Sequence, residues 1–134
     1  MDDAETLSSV RAVLLRQPDI ELACIFGSFA EGRQTPASDI DVAVAAREPI
    51  DSQRRLALND AIASAAGRPV DLVDLQRAGP LVLTQALTRG KRIVKRDSGV
   101  LARLLVKMWY LNADLMPLVR MIQDRRRKRF LHGQ

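Results

Sequence analysis

Two aspartates, Asp39 and Asp41, stand two apart in the run Ser38-Asp39-Ile40-Asp41-Val42. On a strand both carboxylates leave the same face, with Cα atoms roughly 6.5 Å apart at about 3.3 Å per residue. Carboxylates so placed repel each other unless a cation lies between them. Hard divalent ions with oxygen ligands, Mg²⁺ above all, suit the arrangement, and two such ions about 3.5–4 Å apart clamp an in-line phosphoryl displacement. Upstream, Gly27-Ser28 closes an apolar run. A glycine there lets the backbone approach a ligand closely, and Ser28 adds a hydroxyl and an N–H where a short helix would begin, a combination that suits phosphate. A third carboxylate comes from Val70-Asp71-Leu72-Val73-Asp74. Alternation sends Asp71 and Asp74 to opposite faces, so one of the two joins Asp39 and Asp41. Asp71, between Val70 and Leu72, is costly to bury without a metal or another partner. It is the favoured candidate, with Asp74 as a strand-end or cap residue.

The elements that must hold these residues follow from periodicity. Leu7, Val10, Leu14 and Leu15 give helical spacing over Glu5–Gln17, stopped by Pro18. Ile20–Phe26 is nearly continuously apolar, as a strand covered on both faces requires. Asp39–Ala45 alternates, with Ile40, Val42 and Val44 inward and an acidic face left open. Asp51 or Ser52 caps a helix with Leu58, Ala61, Ile62 and Ala65 on one face, ended at Gly67. A strand over Val70–Leu75, a helix over Leu81–Arg89 and a strand over Lys91–Lys95 follow. Asp97 or Ser98 then caps a long final helix with the stripe Leu101, Leu104, Leu105, Met108, Leu111, Leu115, Val119 and Ile122, kinked at Pro117. This order predicts an α/β sandwich: one mixed sheet of about four strands, helices packed on one face, and the other face available for chemistry.

A length of 134 residues fits a single domain, with residues 1–96 as the catalytic core and 97–134 as a basic helix. It leaves no space for a large substrate-binding domain. One Cys excludes internal disulfides, and Cys24 reads as a buried small hydrophobe. An acidic start and the lack of a long apolar run point to a cytoplasmic protein with no membrane partner. The net charge of +5 hides two unlike parts: of 21 basic and 16 acidic residues, 12 and 3 fall in 91–134, a net of +9 there against −4 before it. The run Arg125–Arg129 reads as a solvated helix end, a dock for an acidic protein patch, or a phosphate contact. Aromatic content of 4% argues against nucleic acid as a direct substrate.

Gly27-Ser28, ten residues, then Asp39-Ile40-Asp41 resembles the signature of the DNA polymerase beta-like nucleotidyltransferases. The short chain and its Val-Asp-Leu-Val-Asp-Leu strand are similar to the minimal nucleotidyltransferase branch, the antitoxins that accompany HEPN-domain toxins. The resemblance implies a polymerase beta-like fold, with Gly27 and Ser28 holding the triphosphate of ATP. It further implies two Mg²⁺ ions on Asp39, Asp41 and Asp71, with Asp71 helping to activate the acceptor hydroxyl. The implied reaction moves AMP from ATP to a tyrosine hydroxyl of a cognate HEPN RNase toxin. Where relatives carry Arg, this chain has Glu31, which is expected to point to solvent while Arg33 supplies the positive charge. Two rivals differ in class: an antitoxin that masks its partner sterically without transfer, and a nucleotidyltransferase acting on a small molecule.

Overall fold

The computed structural model describes residues 2–32, 39–96 and 99–113. Helix α1 (Asp3–Leu15) begins two residues before the expected start because the Asp2 carboxylate accepts from the Glu5 amide at 2.8 Å. It ends two residues early. There the Arg96 guanidinium donates to the carbonyls of Leu15, Gln17 and Ile20, satisfying acceptors that would otherwise continue the helix. Strand β1 (Ile20–Phe26) runs straight into a one-turn helix, α2 (Gly27–Ala30). Strand β2 is Ile40–Ala46, one residue later than expected at each end, since Ala46 pairs with Ile20 while Asp39 precedes the ladder.

Helix α3 (Ser52–Ala66) starts at Asp51, whose side chain accepts from the Arg54 amide, and stops at Gly67 in the left-handed region, φ 69°. Its buried residues are Leu58, Ile62 and Ala66: Ala61 is exposed, and Ala66 takes the inward place expected of Ala65, which is half-buried. Strand β3 (Val70–Asp74), helix α4 (Pro80–Arg89) and strand β4 (Lys91–Lys95) complete the core. Pro80 begins α4 because its missing N–H costs nothing at the first helical position. A helix over 99–113, α5, follows.

The sheet order is β3-β2-β1-β4, with β1 antiparallel to both β2 and β4, and β2 parallel to β3 across the α3 crossover. One core lies under α1 and α3, built from Val10, Leu14, Ile25, Val42, Val44, Ile62 and Leu72 among others. The expected open second face is not open: Leu83, Ala86 and Leu87 of α4 and Val100 and Leu104 of α5 cover Cys24, Ala43 and Ala45. Small side chains at 43 and 45 let helices approach, and both central strands are buried on both faces as a result. Among the described residues, the end of that face carrying Asp41 and Asp71 stays accessible. On α5, Val100 rather than Leu105 joins the stripe. Asp97, Ser98, Leu115, Pro117, Val119, Ile122 and Arg125–Arg129, to which the sequence assigns the cap, stripe, kink and basic run, lie outside the described residues. Among the described residues no helix is long and apolar enough to cross a membrane.

A bidentate pair ties α3 to the α1–β1 corner: Arg54 Nη1 and Nη2 meet the two Asp19 oxygens at 2.5 and 2.6 Å. The Arg54 hydrogen bonds hold the Asp19 carboxyl below its ordinary value of 3.8. A carboxyl lowered on folding contributes stability above 3.8 that is lost as pH falls through the depressed folded value. Partial exposure limits the contribution to roughly 1 kcal/mol. Urea midpoints at pH 7 and pH 3 should therefore differ less for Arg54→Ala than for the wild type. An equal pH loss in both would remove Asp19 from acid stability.

Candidate active site

Three adjacent strands deliver the site. Asp41 on β2 stands opposite Phe26 of β1 on one side and Asp71 of β3 on the other. Phe26 is followed at once by Gly27, so the turn, Asp41 and Asp71 form one row across neighbouring strands about 4.8 Å apart. Asp71 shares the Asp41 face because parallel partners project the same way. Asp74, three residues on, points to the other side, where its carboxylate accepts from the Ile50 amide and the Gln76 amide, each at 2.9 Å. Its oxygens are occupied in closing the β3 end, a strand-end cap.

Asp39 is exposed and precedes β2. Burial raises the Asp41 carboxyl above its ordinary value, and the charges of Asp71 and Asp39 raise it further. The charges of Asp71 and Asp39 thus both bear on Asp41. Among the described residues no three acidic, His or Cys side chains close into a ready-made metal cage. An open oxygen-only set still suits Mg²⁺, which keeps waters and takes the rest of its shell from substrate phosphates. Repulsion centred on the least solvated of the three is what a divalent ion would relieve.

Gly27 has φ 73°, and a Cβ there would overlap the Asp41 carboxylate, with Asp41 Cγ only 3.2 Å away. Glycine is required both for the backbone conformation and for the contact. Phe29 anchors the turn in the α1–α3 core, with the Arg68 guanidinium 5.3 Å above its ring. The amides at the start of α2 have no intrahelical acceptor, which leaves the backbone around Ser28 suited to an anion. Glu31 does not simply face solvent: it pairs with Arg89 of α4 at 3.7 Å, a contact that 58 residues of separation hid from the sequence. Arg33 lies outside the described residues. Cys24 is buried beneath the site, and burial pushes its thiol up to about 11, so it offers no nucleophile.

A Gly-Ser turn set against a carboxylate row, on a mixed sheet with this order, defines an enzyme of the nucleotidyltransferase class. The family model "Polymerase beta, Nucleotidyltransferase" matches residues 8–99. The chain is 34% identical over 105 residues to the protein adenylyltransferase MntA of Shewanella oneidensis, covering 76% of each. It therefore belongs to the polymerase beta nucleotidyltransferase family. A toxin–antitoxin crystal structure with AMP-PNP contains a chain that aligns at TM-score 0.74 and 28% identity, covering 87% of this chain and 98% of that one. A structure of the tri-AMPylated Shewanella oneidensis HEPN toxin with its MNT antitoxin matches at TM-score 0.71 and 26% identity, over 91% and 99% of the chains.

Proposed function

We propose that this chain transfers AMP from ATP to a tyrosine hydroxyl of a cognate HEPN toxin, and so acts as an antitoxin in the cytoplasm. The observation that carries the proposal is the Asp41 position: flanked by Asp71 on β3 and by the Phe26–Gly27 strand end on β1. Gly27 and Ser28 hold the triphosphate, with Arg33 as an added cation. Asp39, Asp41 and Asp71 would hold two Mg²⁺ ions, which when bound neutralise charge on the attacking, leaving and equatorial oxygens. Asp71 accepts the proton of the acceptor hydroxyl as its oxygen bonds to the α-phosphorus. The bond from that phosphorus to the bridging oxygen breaks, and pyrophosphate leaves with the electron pair.

The relatives support the AMP donor and the toxin acceptor, since one aligns in a structure with AMP-PNP and another accompanies an AMPylated HEPN toxin. Incubation with labelled ATP, Mg²⁺ and the cognate toxin should label the toxin, and Asp39→Asn should give none. Absence of label with the wild type across Mg²⁺ and Mn²⁺ concentrations sinks the proposal. Steric masking is favoured by one observation, the exposure of Trp109 (74%) and Tyr110 (67%) on α5. The same variant separates the two readings, because a masking antitoxin keeps protecting cells without transfer.

A further inference from the structure

Glu31 sits one turn beyond the start of α2, its amide donating to the Gly27 carbonyl at 3.2 Å. A carboxylate one helical turn from a triphosphate seat opposes the ligand unless a cation offsets it. Arg89, the last residue of α4, is placed to do so, with Nη1 3.7 Å from Glu31 Oε1. Its base is fixed. Gly90 packs so closely on the Ala86 and Ile25 carbonyls that no Cβ fits, which locks the α4 end against the strand leading into Gly27.

The guanidinium itself is loosely held. Its side chain is 73% exposed, and the pair is well beyond the 2.7–2.9 Å of a good charge-assisted hydrogen bond. Exposed pairs of this kind contribute little, so exchange for a stronger anion is favourable. Two other described cations near the turn are already engaged: Arg68 stacks on Phe29, and Arg92 donates to the Leu87 carbonyl.

We propose that Arg89 is a nucleotide-binding residue that exchanges Glu31 for the β- and γ-phosphates of ATP, with Glu31 as a competing anion that lowers the affinity. The proposal rests on the reading of Gly27-Ser28 as the triphosphate seat. It makes opposite-sign demands on the two partners, which a purely structural ion pair does not.

Calorimetric titration of the toxin-free protein with Mg-ATP and with AMP tests it, for the wild type, Arg89→Ala, Arg89→Lys and Glu31→Gln. Arg89→Ala should weaken ATP about tenfold, the size of one hydrogen bond to a charged group, and leave AMP unchanged. Arg89→Lys should fall between, and Glu31→Gln should tighten ATP. Equal loss of ATP and AMP, no loss in Arg89→Ala, or weakening by Glu31→Gln each overturns the proposal. If the wild type binds no ATP, the reading of the seat fails along with it. If the wild type binds and Arg89→Ala binds equally, only the role of Arg89 fails.

Discussion

Asp41→Asn should cut AMP transfer by about 10²–10³-fold, the usual effect of removing one preorganised electrostatic group, and in chelator it should raise the thermal midpoint. The two effects share a cause. Burial and the charges of Asp71 and Asp39 hold the Asp41 carboxyl above its ordinary value. A carboxyl raised on folding is penalised when ionised, and the penalty grows as pH rises through its folded value. The amide carries no such penalty, so the midpoint gap over wild type should be largest at pH 7–8 and shrink toward about pH 4. Saturating Mg²⁺ should stabilise the wild type selectively and narrow the gap. A variant that melts below wild type in EDTA would instead make the carboxylate a structural group.

The candidate site was legible as a pattern, because Asp39 and Asp41 alternate with Ile40 and Val42 and Gly27-Ser28 stands ten residues upstream. The apolar run Ile20–Phe26 and the strand Lys91–Lys95 were equally plain, since nothing local competes with their patterns. Pairing was not readable: that Asp41 neighbours Asp71 depends on the parallel β2–β3 register, set by the α3 crossover. Nor was the cover of the second face, because alanines at 43 and 45 carry little hydrophobic signal yet leave space for α4 and α5. Glu31 with Arg89 was hidden for the same reason, two exposed charges meeting only when the chain folds.

Gly27→Ala should be damaging on two counts, and its cost should split into two measurable parts. The first is the backbone: φ 73° costs a residue with a Cβ about 1–2 kcal/mol. Gly67→Ala isolates that part, since Gly67 has φ 69° with nothing within 4 Å of an added Cβ. The second is the collision with the Asp41 carboxylate, an overpacking term of about 1–3 kcal/mol. Urea unfolding should therefore place Gly27→Ala below Gly67→Ala by the second term. In an Asp41→Ala background the collision disappears, and Gly27→Ala should cost no more than Gly67→Ala does. Equal costs for Gly27→Ala in the two backgrounds would mean that the turn and the carboxylate do not touch. Activity should follow the collision rather than the backbone term: a turn pushed off Asp41 separates the triphosphate seat from the carboxylates, and a misplacement near 1 Å costs about 10²-fold. Gly67→Ala, whose added Cβ meets nothing within 4 Å, should lose stability while keeping the rate of AMP transfer.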